Sequence, residues 1–200
     1  MTNEQSEKLL AEALQKMRDA LDEAVACDAP EPYIMSLATV DANGKPSVRS
    51  IMLANVNEHG LLFFVNKKSG KGIQLMNNPN VAMCFFWPSL NLQVIVDGIA
   101  RQESGDEANR IWSKRARANQ LAAWASQQSE ESLGRQALAS RVAETKQAFR
   151  DEHVPLPDHW AGYRVLPTRI EFWHTGWQHL KDRVRYKKDG EDWIKTMLNP

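Results

Sequence analysis

Between Tyr33 and Ala100 the chain is a succession of apolar, strand-length segments separated by tight-turn residues, and this punctuation limits the possible folds more than any other feature. Tyr33–Val40 and Ser47–Ala54 flank Asp41-Ala-Asn43-Gly44-Lys-Pro46, where Asn43-Gly44 supplies the positive φ that a hairpin turn needs. Asn57-Glu-His-Gly60 turns into Leu61–Val65, and after a short helix from Ser69 come the strands Val81–Trp87 and Leu92–Ala100. Upstream, Leu9, Leu10, Ala13, Leu14, Met17, Leu21, Ala24 and Val25 recur at helical spacing and predict an amphipathic helix over residues 5–26. Downstream, Ser104 to about Glu152 is helical in pattern, with Ser129-Glu130-Glu131 as a helix start and Pro155 and Pro157 as the stop. Two or three further strands run from Tyr163 to Leu198, with Lys188–Glu191 as a hairpin turn. The expectation is one domain over 1–200: an N-terminal helix within 1–30, barrel strands in 33–103, a helical segment at 104–152 and C-terminal barrel strands in 160–200. Such a chain is α+β, a mostly antiparallel β-barrel with flanking helices.

Composition excludes several classes of partner. The 25 basic and 25 acidic side chains cancel, so no overall field favours nucleic acid or an anionic membrane, and any anion site must be local. No stretch is long and apolar enough to span a bilayer, and the acidic start has no export-signal pattern. Cys27 and Cys84 show no metal or redox spacing, which fits a reducing cytoplasm. The histidines at 59, 153, 159, 174 and 179 lack ligand spacing, so no metal is expected.

Four places could carry chemistry. Ser69-Gly-Lys71-Gly72, preceded by Lys67 and Lys68, stands where a strand gives way to a helix; it is either a solvated basic turn or a phosphate site made of N–H groups and an ammonium. Arg49 interrupts an apolar strand, where an unpaired charge is costly, and so calls for an internal carboxylate or a ligand phosphate. Gln93 heads an apolar strand, while Gln128 and Ser129 offer amide and hydroxyl groups at a helix start. Last, an apolar strand ending in Trp173, followed by the Arg-rich Lys181-Asp-Arg183-Val-Arg185, sets a flat aromatic surface beside fixed positive charge, which suits a planar anionic ligand.

These places fall in the order seen in a known family. Arg49-Ser50-Ile51-Met52-Leu53, Asn66 with Ser69-Gly-Lys71-Gly72, Asn78-Pro79, Phe85-Phe-Trp87, Gln93-Val, Gln120–Ser129, Val154-Pro-Leu-Pro157, Gly162-Tyr-Arg-Val165, Ile170-Glu-Phe-Trp173 and Asp182-Arg183 together resemble the pyridoxamine 5'-phosphate oxidase family over about residues 33–200. The resemblance implies an FMN-binding split β-barrel and a homodimer holding FMN at the subunit interface. It implies that Arg49, Ser50, Ile51, Met52, Lys71, Gln128 and Ser129 serve the FMN phosphate and its surroundings, and that Gln93, Trp173 and Arg183 hold or flank the isoalloxazine. Gly70 departs from the family, which commonly has an arginine there.

The substrate side departs further. Ala54 stands where members acting on pyridoxine phosphates carry a lysine, Ile111 and Asn119 where they carry a tyrosine and a serine, and only Arg115 is retained from that phosphate clamp. His179 and Lys181 replace the arginine and histidine that cover the pyridine ring. The reading is an FMN-dependent oxidase that moves a hydride from a small nitrogen-containing ring or amine to flavin and then to dioxygen, resembling the phenazine-biosynthesis oxidases. Arg183 would stabilise ring charge, and His179, Lys181, Arg115 and Asn119 would contact substrate or move a proton. The alternatives are a working pyridoxine/pyridoxamine 5'-phosphate oxidase and a flavin-binding module without catalysis.

Overall fold

The computed structural model describes residues 3–129, 134–150, 152–174 and 182–199. Six antiparallel strands close on themselves: β1 (Ile34–Val40), β2 (Pro46–Asn57), β3 (Gly60–Asn66), β4 (Asn80–Trp87), β5 (Leu92–Gln102) and β6 (Trp160–His174) follow the order β3-β2-β1-β4-β5-β6, and β6 pairs back onto β3. β7 (Arg183–Asp189) and β8 (Asp192–Leu198) extend the sheet beyond β6 as a hairpin. Period-two patterning decides which side chains fill the barrel. Leu92, Val94 and Val96 of β5 are buried, while Gln93, Ile95 and Asp97 between them are only half-buried. Leu37, Phe63, Val65, Met83, Phe85, Val165 and Ile170 join them in one apolar core.

β6 has two jobs. Its first half, Trp160–Val165, pairs with β3 and closes the barrel, while Arg169–Trp173 pairs with β7. Pro167 lies between these stretches, on the edge where neither β3 nor β7 is paired with it. Opposite it β5 shifts register between Asp97 and Gly98, and a side chain at Gly98 would put a Cβ 2.4 Å from the Leu166 carbonyl oxygen. The close approach of the two backbones therefore requires glycine.

The predicted N-terminal helix is α1 (Asn3–Ala26), and Ala13, Leu14, Met17, Ala20, Leu21 and Ala24 are buried against the barrel. Val25, included in the predicted stripe, is 44% exposed. Polar contacts dock α1 on the β7–β8 hairpin: the Tyr186 hydroxyl and Lys195 ammonium donate to Glu12 Oε1 at 2.8 and 2.7 Å, and the Trp193 N–H donates to Ser6 Oγ at 2.7 Å. Lys195 and then Tyr186, through these hydrogen bonds, hold the Glu12 carboxyl below its ordinary range.

The strand-to-helix step after β3 is α2 (Gly70–Asn77), capped by Ser69. The helical segment comprises α3 (Gly105–Trp112), α4 (Arg117–Ala125) and α5 (Arg135–Ala148). Trp112 and Leu121 from it pack with Val154 and Trp160 in a second, smaller core. The helix start expected at Ser129 is corrected: α5 is capped at Gly134, and Ser129 has a left-handed φ of 73° with its hydroxyl turned to the Gly70 N–H. No helix among the described residues is long and apolar enough to cross a membrane.

Leu14 is 1% exposed at the α1–barrel contact. Leu14→Ala should lower the unfolding free energy by about 2–5 kcal/mol, read as a reduced urea midpoint with the slope unchanged.

Candidate active site

A cavity of about 540 Å³ opens between the barrel wall and the α3–α4 segment. The barrel contributes Ser50, Ile51, Met52 and Ala54 from β2, and Phe64 to Asn66 from the end of β3. Across from them stand Arg115, Asn119, Ala123, Ser126 and Gln128, with His159 and Trp160 completing the wall. The Lys67 N–H donates to the His159 carbonyl at 2.6 Å, so the start of β6 and the chain entering α2 are fixed together.

One end of the cavity is positively charged. The fully buried Ser69 hydroxyl donates to the Asn66 carbonyl at 2.6 Å and accepts from the Gly72 N–H at 3.4 Å and from Lys71 Nζ at 3.3 Å. Gly72 is obligatory here because a Cβ would fall 2.5 Å from the Asn66 carbonyl oxygen. Lys71 Nζ also donates to Gln128 Oε1 at 2.8 Å. Arg49 donates to the Leu37 carbonyl at 3.1 Å, to Thr39 Oγ1 at 2.6 Å and to Gln74 Oε1 at 3.2 Å. It therefore meets neutral oxygens where an internal carboxylate was one expectation. Among the described residues neither Arg49 nor Lys71 forms an ion pair. Burial lowers the Arg49 pKa, and burial followed by repulsion from Arg49 lowers that of Lys71. Two neighbouring cations without a counter-ion form a site suited to an anion such as phosphate. Arg49 does not line the cavity itself but stands behind it.

The other end is aromatic. Phe64 and Trp160 stack at 4.1 Å with an interplanar angle of 1°, and Trp112 meets the Trp160 edge at 5.0 Å. The Arg115 guanidinium lies 5.2 Å from the Trp160 ring centroid and 5.9 Å from that of Trp112. Its Nε is buried without a hydrogen-bond partner, and burial lowers its pKa. No carboxylate among the described residues pairs with it. Ala54 and Asn119 line the cavity, whereas Ile111 is half-buried and does not. Phe64, His159 and Trp160 were not singled out in the sequence. The His159 Nε2 lies 3.1 Å from the Ala123 carbonyl, an acceptor only, so that nitrogen carries the proton.

The remaining candidates gather elsewhere. Gln93, Trp173 and Arg183 form a row across β5, β6 and β7, because Gln93 pairs with Trp173 and Trp173 with Arg183. The Arg183 guanidinium lies 5.6 Å from the Trp173 ring centroid, giving the predicted aromatic surface beside positive charge. Arg183 Nε donates to the buried Glu171 at 2.7 Å, while Trp173 Nε1 is buried without a partner. None of the three lines the cavity. His179 and Lys181 lie outside the described residues.

Fold and cleft together define a split barrel with a cavity that is cationic at one end and aromatic at the other. Residues 18–149 match the family described as pyridoxamine 5'-phosphate oxidase, and residues 160–200 match the pyridoxine 5'-phosphate oxidase C-terminal dimerisation region. The chain belongs to the pyridoxamine 5'-phosphate oxidase family, and with it to the oxidoreductases. A curated relative from Bordetella avium, pyridoxine/pyridoxamine 5'-phosphate oxidase, is 42% identical over 180 residues, covering 90% of this chain and 85% of that protein. The crystal structure of PhzG from Burkholderia lata in complex with tetrahydrophenazine-1-carboxylic acid is similar with a TM-score of 0.88 at 29% identity, covering 93% of this chain and 91% of PhzG. A pyridoxamine 5'-phosphate oxidase-related, FMN-binding protein from Nostoc punctiforme shares the fold, with a TM-score of 0.66 at 16% identity and coverage of 84% and 88%.

Lys71→Met should raise the melting temperature of the ligand-free protein, since it removes a charge that burial and Arg49 both disfavour. The sign follows from linkage: with the folded-state pKa below the unfolded one, the wild type gains stability as pH rises between them, and the variant loses that gain. Added inorganic phosphate should raise the wild-type melting temperature and leave the variant's nearly unmoved.

Proposed function

We propose that this chain is an FMN-dependent oxidase acting on a planar, nitrogen-containing ring substrate of the phenazine type. The observation that supports the cofactor is the pairing of two cations without counter-ions at one end of the cavity with stacked aromatics at the other. Lys71 and Arg49 would bind the FMN phosphate, assisted by Gln128 and Ser129, and Ser50, Ile51 and Met52 would line its path. Gln93, Trp173 and Arg183, outside the cavity of their own chain, would flank the flavin ring in the cavity of a second copy, which makes the enzyme a homodimer. The match of residues 160–200 to a dimerisation region supports this assembly. Bound FMN would supply the redox chemistry, accepting a hydride from substrate and passing the electrons to dioxygen.

The chain's own residues would orient and protect. Arg115, held over Trp160, would pair with an anionic group on the substrate, and Asn119 would hydrogen-bond beside it. His179 and Lys181 are assigned substrate contact or proton transfer from sequence alone. Arg183, kept near Trp173 by Glu171, would stabilise negative charge on the ring. For the substrate, Ala54 is the deciding side chain: it lines the cavity as a methyl group where phosphate-specific members place an ammonium. One arginine without that lysine fits a carboxylate better than a phosphate dianion, because each lost charge-assisted hydrogen bond costs about 1.5–3 kcal/mol. The ligand in the PhzG structure, tetrahydrophenazine-1-carboxylic acid, carries a carboxylate and no phosphate. The curated relative named pyridoxine/pyridoxamine 5'-phosphate oxidase supports the second reading, oxidation of vitamin B6 phosphates.

Purified protein should be yellow with FMN bound, and peroxide release should follow addition of a reduced phenazine carboxylic acid. Efficient turnover of pyridoxine 5'-phosphate at micromolar concentration would exclude the first substrate and establish the second. Ala54→Lys should improve kcat/KM for pyridoxine 5'-phosphate by roughly ten-fold or more and leave FMN affinity unchanged.

A further inference from the structure

Arg49 is held in an unusual way. Its guanidinium donates to a backbone carbonyl of β1, to the Thr39 hydroxyl and to the Gln74 amide oxygen, so three neutral oxygens fix it and none cancels its charge. Thr39 is fully buried and its hydroxyl donates onward to the same Gln74 oxygen, while Gln74 Nε2 donates to Ser47 Oγ at 3.1 Å. These contacts leave the amide one usable orientation. Turned over, its NH₂ would face a guanidinium that can only donate, and its oxygen would lose the Thr39 proton. Glutamate has nearly the same shape as glutamine and would be the obvious partner for an arginine fixed in this way, yet it would neutralise Arg49 next to Lys71. The residue at this point of α2 therefore decides whether the positive end of the cavity carries one net charge or two.

We propose that Gln74 is a positioning residue that sets the cavity's preference for a phosphorylated over an unphosphorylated flavin, because it orients Arg49 through a neutral amide and leaves the full guanidinium charge for the phosphate. This rests on the assignment of FMN to the cavity. It extends that assignment to a side chain that does not line the cavity. Helix α2 thereby acts twice on the anion, with Lys71 as a direct cation and Gln74, one turn further on, as the group that aims a second.

The test compares dissociation constants for FMN and riboflavin in wild type, Gln74→Glu and Gln74→Met, with circular dichroism and melting temperature to verify folding. Wild type is expected to prefer FMN. Gln74→Glu should weaken FMN binding by about 10- to 100-fold, the loss of roughly one charge-assisted interaction, while riboflavin binding changes by less than about three-fold; the salt dependence of FMN binding should flatten as well. Gln74→Met, uncharged and of similar volume, should lose only part of the preference, since Arg49 keeps its charge and its bonds to Leu37 and Thr39 but not the amide that aims it. An FMN-to-riboflavin ratio unchanged in folded Gln74→Glu overturns the proposal, as does a Gln74→Met that loses the ratio equally, since the effect would then be one of packing. Wild-type protein that binds riboflavin but shows no preference for FMN overturns it too. Wild-type protein that binds neither flavin overturns the cofactor assignment, and this inference with it.

Discussion

The closure of the barrel by β6 is the constraint on which the rest depends. The strand runs from Trp160, in the cavity wall, to Trp173, in the row with Gln93 and Arg183. At about 3.3 Å per residue these two tryptophans are separated by on the order of 40 Å of strand. One chain therefore displays its cationic cavity and its aromatic–arginine row at opposite ends of the same element. A strand that bridges β3 and β7 cannot fold back on itself, so if the cavity and this row form one flavin site, as proposed, they would meet only through association of two copies. The dimer would then be a consequence of strand length as much as of interface chemistry.

The cavity's electrostatics show the cost of that arrangement. Lys71 and Arg49 repel one another, both are desolvated, and among the described residues neither has a carboxylate. The surrounding groups are well satisfied: Ser69 is buried with its hydroxyl committed three ways, and Gly72 allows the chain to pass close to the Asn66 carbonyl. The local backbone is thus held by hydrogen bonds while its charge is left uncompensated, the arrangement a preorganised anion site would need. By contrast Arg164 is paired with Glu103 and Arg169 with Asp97, so the chain does neutralise arginines elsewhere with carboxylates.

Much of this was legible in the sequence because it is local. Turn residues and period-two alternation located the strands, and helical spacing located α1. The capped, basic helix start at Ser69–Gly72 was also visible, since a cap, a glycine and a lysine are adjacent in the chain. What could not be read were relations between distant residues. Phe64 and Trp160 stack because β3 and β6 pair, which no short-range pattern reveals. Whether Arg49 faces a carboxylate or neutral oxygens depends on Thr39 and Gln74, on two other elements. Ser129 misled because Ser-Glu-Glu has the composition of a helix start, whereas its hydroxyl is engaged at Gly70 across the fold.

The two faces of the cavity are under different physical demands, and this explains why the chain keeps one family pattern and alters the other. The anion end is built into the fold: Lys71, Ser69 and Gln74 sit on or at the cap of α2, and Arg49 is a ladder residue of β2 whose register is tied to Leu37. The side chains of Arg49 and Ser69 also bond backbone groups, so changing either disturbs the fold around the site. Ala54 and Asn119 only project into the cavity, and Ala54 lies beside the register shift between Leu53 and Asn55 that already interrupts the β2–β3 ladder. A substitution there alters what the cavity accepts at little structural cost. On the proposed reading, one arginine over an aromatic floor, beside a wall that carries Ala54, would let a fixed cofactor scaffold take a substrate with less charge and more flat surface.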